Sequence, residues 1–152
     1  MTRERTAYGI DDLDPGVVTV ARVDLVRGRV ASRRVELDAV PAQARAGVRG
    51  GCYAAVPVRQ SFSHELTAPF SRRSKAVRVL PTLLDLQLPF ALDDCLYTFA
   101  ELKAESGSVR ALAVGARTAE IERRLGDLVE KGIDPLALDH EGLALWSGAL
   151  RG

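Results

Sequence analysis

Residues 66–99 read LTAPFSRRSKAVRVLPTLLDLQLPFALDDCLYTF, and their reading decides the fold. Two similar elements, Ala68-Pro69-Phe70 and Leu88-Pro89-Phe90, bracket a segment of helical pattern, and a segment of strand pattern follows. Val77, Leu80, Leu83, Leu84 and Leu88 recur at the spacing of one helix face, with Ser71 as the expected N-cap. Pro81 falls inside that helix and predicts a kink or a split, because proline lacks the N–H that bonds one turn back. Asp93-Asp94 read as solvated turn residues opening the next strand, not as paired catalytic carboxylates. The stretch has the character of a small folded insert that presents surfaces to other proteins.

Upstream, residues 17–25 alternate and are rich in valine, Arg27-Gly28 is a turn signal, and residues 30–37 resume the alternation; together they predict a hairpin. Pro41 and three glycines between 38 and 51 predict a loop or short helix, followed by a buried strand, CYAAVPV, at 52–58. A further strand is expected at 61–66. Downstream, residues 95–102 and 109–114 read as strands joined by Glu105-Ser106-Gly107-Ser108. Thr118 opens a helix with Ile121, Leu125, Leu128 and Val129 inward, closed by Gly132. A short strand at 136–138 leads to a last helix at 141–150, capped by Asp139. The order is β-β-β, then β-α-β-β-α, then β-α. Trp146 is expected in the core of that helix's packing, with Leu143 and Leu150. A helix this apolar requires cover, either from the rest of the domain or from chain continuing past Gly152, and its apolar face makes self-association an expectation.

The totals exclude several classes of function. At 152 residues, 47% apolar and 27% charged, the chain is globular and not disordered. A net charge of +1 supplies no bulk field for nucleic acid, and aromatic residues at 5% do not interleave with the arginines as an RNA-stacking platform requires. Arg33-Arg34, Arg72-Arg73 and Arg123-Arg124 read as solvated surface doublets. Cys52 and Cys95 read as buried thiols, and the N-terminus has no apolar core of a signal peptide. The only histidines are His64 and His140. His140 sits in Asp139-His140-Glu141, where adjacent residues at a helix start diverge and form no metal set. Ser61, Ser63 and His64 lack a nucleophile elbow, and Gly47, Gly50 and Gly51 precede a strand instead of following one, so no phosphate fingerprint forms. No enzymatic constellation, cofactor site or metal site is expected.

The order of motifs resembles bacterial actin-like assembly proteins, the family of type IV pilus assembly protein PilM and the cytoplasmic domain of type II secretion system protein L. Ala55-Val56-Pro57 matches that family's strand end, and Leu66 to Phe70 its "l-P-f" before the helix. Val79-Leu80-Pro81-Thr82-Leu83-Leu84-Asp85 matches "v-L-p-f-e-L-e", and Leu88-Pro89-Phe90-Ala91-Leu92-Asp93-Asp94 matches "l-P-f-p-l-e-d". KGIDPLALDHEGLAL, at 131–145, is similar to "a-G-l-x-P-x-x-l-d-x-e-a-l-A-L".

The resemblance, over about residues 50 to 150, implies an α/β fold that is the N-terminal half of an actin-like (ASKHA) fold. Subdomain 1A at 1–60 and 132–152 would be interrupted by a 1C insert at 61–131, with the second lobe beyond Gly152. Nucleotide-binding members carry an Asp-x-Gly-Ser loop after the first strand. Here Asp11 matches the aspartate, Leu13 stands at the glycine, and Asp11 and Gly16 are the candidate phosphate-loop residues that remain. The implied function is a non-catalytic scaffold at the cytoplasmic face of the bacterial inner membrane. It would dock an inner-membrane assembly-platform protein or the secretion or pilus assembly ATPase, accepting a short partner segment at the groove between 1A and 1C, with membrane association indirect or through a further C-terminal part. An ATP-binding half-domain and a stand-alone adaptor are the alternatives.

Overall fold

The computed structural model describes residues 5–12, 17–27, 29–48 and 51–149. In chain order the elements are β1 (Arg5–Asp11), β2 (Thr19–Val26), β3 (Arg29–Val35), α1 (Ala42–Arg45), β4 (Cys52–Val56), β5 (Ser61–Ala68), α2 (Arg73–Asp85), β6 (Cys95–Glu105), β7 (Ser108–Arg117), α3 (Thr118–Glu130), β8 (Ala137–His140) and α4 (Glu141–Ala149). Gly28, Gly50 and Leu150, which the sequence places in a turn, a loop and the last helix, lie outside the described residues. The chain divides into two compact units, Met1–Pro57 with Glu122–Gly152, and Val58–Ile121. No helix among the described residues is long and apolar enough to cross a membrane.

The first unit is built on a five-stranded sheet in the order β3-β2-β1-β4-β8. β1 to β3 are antiparallel, with Ile10 opposite Val20 and Val20 opposite Val35. β1 pairs parallel with β4, and β4 with β8. β1 has no counterpart among the strands expected from the sequence. Gly9 in its centre and charges at both ends obscure the pattern, yet Tyr8 and Ile10 point inward with the period of two that defines a half-buried strand. They join Val20, Cys52 and Ala54 in one core, closed by Val40, Ala44, Leu128 and Ile133. Leu128 and Ile133 are fully buried, each stabilising by roughly 1.5–3 kcal/mol relative to exposure.

Gly132 places them: with φ at +74° it ends α3 in the left-handed conformation. The Ile133 N–H then turns back to the Leu128 carbonyl at 2.9 Å, and the Gly132 N–H to that of Val129 at 2.8 Å. Val129 itself is 59% exposed, contrary to expectation, because the helix face that meets this core carries Arg124 and Leu128.

α4 also departs from expectation. It packs on β8 and β4, but only its first turn is partly covered, and Leu145 and Trp146 stay exposed at 68% and 62%. Its apolar residues run around the helix with no one-sided stripe, so one sheet cannot bury them together. Nor does Asp139 cap this helix: it lies in β8, and His140 Nδ1 accepts the Leu143 N–H at 3.4 Å.

The second unit is a three-stranded antiparallel sheet, β5-β7-β6, with α2 on one face. Leu66, Ala68, Val109, Ala111 and Ala113 of the sheet meet Ala76, Leu80 and Leu84 of the helix. Phe70 and Phe90 pack on the same core, so the two proline-phenylalanine corners anchor the two ends of α2. α2 is continuous through Pro81 and not split. The carbonyl that loses its donor belongs to Val77, which is 45% exposed, while Leu80 and Leu84 are fully buried and hold the helix down. Ser71 is not the N-cap; Arg72 takes that place without a side-chain cap. After the helix, Asp85 accepts the Leu92 N–H at 3.0 Å, and a single turn at Leu92–Asp94 feeds β6.

Candidate functional site

Two arrangements of side chains could carry function, one in each unit. In the second unit a cleft of about 450 Å³ opens where β5, the Leu88-Pro89-Phe90 corner and the end of β7 converge. Its apolar lining is Phe62, Leu88, Pro89 and Phe90. The Phe62 and Phe90 rings lie 6.1 Å apart, and His64 stacks at a tilt 6.1 Å from Phe62. Arg117 sits 5.7 Å over the Phe90 ring and pairs with Glu120 at 3.3 Å. Arg59 adds a second guanidinium to the lining. The Gln60 side-chain oxygen is buried in this region without a hydrogen-bond partner among the described residues. A buried acceptor left open favours a ligand that brings an N–H to it.

Gly115 makes the cleft possible. A Cβ there would lie 2.7 Å from Phe62 Cζ and 2.5 Å from the Leu96 carbonyl oxygen, so only glycine lets Phe62 lie across β7. Sequence reasoning missed Gly115, Gln60 and Arg117. The usable signal was Gly115 itself, a glycine inside an otherwise continuous strand pattern.

In the first unit Asp12, just past β1, is enclosed by cations. Arg124 donates to both carboxylate oxygens: Nη1 reaches Oδ2 at 3.0 Å, and Nη2 bonds Oδ1. Lys131 Nζ donates to Oδ2 at 2.6 Å, and Arg124 Nε reaches the Ala55 carbonyl at 3.0 Å. The Asp12 side chain is wholly buried and that of Arg124 is 6% exposed. Burial alone pushes the Asp12 carboxyl up, but hydrogen bonds from Arg124 and Lys131, and their charges, outweigh it and hold the group below its ordinary value of 3.8. This corrects the reading of Arg123-Arg124 as a solvated doublet: Arg123 stays at the surface, paired with Asp127 at 3.1 Å, and Arg124 is interior.

Of the candidate phosphate-loop residues, Asp11 is the last residue of β1, opposite Thr19, with its side chain exposed. Gly16 lies outside the described residues. The carboxylate that the fold places among cations is Asp12, the residue after Asp11. Cys52 and Cys95 are free and buried. Burial raises both thiols, and Asp94 raises Cys95 further, so neither is a ready thiolate.

The chain has an α/β fold, a five-stranded mixed sheet with a separate α/β unit inserted in the chain between β4 and β8, and solved structures share it. Two of these solved structures come from a type II secretion system and a type IV pilus biogenesis complex. Cyto-EpsL is the cytoplasmic domain of EpsL, an inner membrane component of the type II secretion system of Vibrio cholerae. It matches with a TM-score of 0.52 at 15% identity, over 90% of this chain and 57% of that one. The PilM-PilN type IV pilus biogenesis complex matches with a TM-score of 0.58 at 16% identity, over 91% of this chain and 48% of that one. The chain thus spans about half the length of the proteins whose fold it shares. No protein-family model matches the sequence, and no curated protein matches it.

Proposed function

We propose that this chain is a non-catalytic scaffold segment that docks partner proteins of a type IV pilus or type II secretion assembly platform, at the cytoplasmic face of the inner membrane. The observation that carries this reading is the cleft of the second unit, with its aromatic floor, two guanidiniums and one open acceptor. Such a lining takes a short extended segment: an apolar side chain against Phe62 and Phe90, a backbone N–H to Gln60, and an acidic group to Arg59 or Arg117. The fold shared with EpsL and PilM supports the choice of machine. In this reading residues 1–60 and 132–152 form subdomain 1A and residues 61–131 the inserted 1C. The partner is a cytoplasmic segment of an inner-membrane assembly-platform protein or the assembly ATPase, and contact with the membrane is indirect.

The test is titration of overlapping peptides from the cytoplasmic segments of such partners against the chain and its Phe90→Ala and Arg117→Ala variants, each checked for fold by circular dichroism. One peptide is expected to bind and to lose most of its affinity in both variants. Binding that survives both unchanged would remove the cleft as the docking site.

A further inference from the structure

Among the described residues the two sheets have four edges, β3, β8, β5 and β6, and three of them are guarded. β3 carries Arg29, Arg33 and Arg34. β8 is four residues long and includes Asp139 and His140. β5 carries His64 and Glu65. Charged or short edges are how folded proteins avoid pairing with another chain. β6 departs from this rule: residues 95–100 read CLYTFA, six residues of high strand propensity with no charge, proline or glycine. Leu96 is 54% exposed and Tyr97 38%. The unguarded run ends at a bulge between Ala100 and Lys103, beyond which charged residues return.

We infer that the first half of β6 is an interaction edge, and that it takes a second copy of this chain by antiparallel β6–β6 pairing about a two-fold axis at Thr98. Its sequence is self-complementary in that register. Tyr97 falls opposite Phe99 of the second copy, twice, on the face where these two rings already meet edge-on at 5.6 Å within one chain. Leu96 falls opposite Ala100 on the other face. The acidic Asp93-Asp94 pair preceding one strand comes toward the end of the other strand that carries Lys103. No like charges oppose one another within the run, and the pairing joins two three-stranded sheets into one of six. This surface is independent of the cleft and of the partner proposed for it.

Sedimentation velocity of the whole 152-residue chain over a range of concentrations tests the inference. The wild type is expected to form dimers reversibly. Thr98→Lys, which sets two ammonium groups against each other at the axis, is expected to weaken the dimer at least about tenfold. Val30→Lys on the β3 edge is expected to leave it unchanged. Thr98→Cys provides a reading that does not depend on a charge being tolerated: antiparallel pairing at the axis brings the two Cα atoms to about 4.5–5.5 Å, within disulfide range, so oxidation should link two chains. A chain that stays monomeric at every concentration overturns the inference. So does a dimer that resists Thr98→Lys and does not cross-link on oxidation of the Thr98→Cys variant, an outcome that would move the contact to the exposed face of α4.

Discussion

Arg124 grips both oxygens of the Asp12 carboxylate across 112 residues of sequence, in the interior of the unit that also holds the chain's N-terminal strands. Two buried charges hold each other there, and Lys131 supplies a third from a half-exposed position. The pair ties the end of β1 to α3, and through the Ala55 carbonyl to β4, so three segments distant in sequence meet at one guanidinium.

Removing Arg124 leaves the buried Asp12 carboxylate with the half-exposed Lys131 alone and opens one of its oxygens. Arg124→Ala is expected to destabilise by about 3–5 kcal/mol, whereas Arg123→Ala, one residue away and paired at the surface with Asp127, costs no more than about 1 kcal/mol. Urea denaturation of the two variants side by side measures the difference. Similar losses in both would mean that Arg124 is solvated like its neighbour.

The pH dependence follows from the sign of the Asp12 shift. A carboxyl lowered in the folded state contributes stability that is present above its ordinary 3.8 and is lost as pH falls through the folded value below 3.8. The gap in urea midpoint between wild type and Asp12→Asn should be constant near neutral pH and narrow only in acid below 3.8. A gap that closes near neutral pH would contradict the ion pair.

Gly115→Ala is expected to cost roughly 1–3 kcal/mol, since the new methyl group meets the Leu96 carbonyl and the Phe62 ring together and the carbonyl cannot step aside. Peptide binding at the cleft should fall with it, because Phe62 is the side chain that must move. Leu84→Ala, at a fully buried position of α2, is expected to cost about 2–5 kcal/mol through the cavity it leaves, without altering the cleft's lining.

Addition of ATP with magnesium is expected to leave the melting temperature unchanged. Arg124 and Lys131, the cations beside the residue that follows β1, are already engaged by Asp12, and a phosphate of like charge would have to displace it. A concentration-dependent rise in melting temperature would instead support an ATP-binding half-domain.

Much of this architecture was legible because the segments that build it have strong periods. The strand character of β2, β4, β5 and β7, the turn at Gly107, the left-handed end of α3 at Gly132 and the paired phenylalanine corners around α2 all follow from local chemistry. What was not legible depends on contacts between distant segments. β1 is a strand because β2 and β4 flank it, and Gly9 weakens its own signal. Arg124 is interior because Asp12 waits for it, a fact no window around Arg123-Arg124 contains. Trp146 was expected to be buried on its helical neighbours, but the rest of α4 has no apolar stripe to carry it inward. The cleft was invisible for the same reason: Gln60, Phe62, Phe90 and Arg117 come from three separate stretches, and only the pairing of β5 with β7 and the packing of Phe90 on the unit's core bring them together.

β4 and β8 are adjacent in the sheet, Tyr53 beside Ala137, and the whole second unit lies between them in chain order. During synthesis the frame's sheet lacks its last strand until residues 137–140 have emerged, while the second unit, whose sheet and helix all come from residues 58–121, is complete before they do. The inserted unit is therefore expected to complete its own core before the frame's sheet gains its last strand. Arrest of translation at successive lengths, followed by brief proteolysis, should show protection of residues 58–121 before that of β1 and β4.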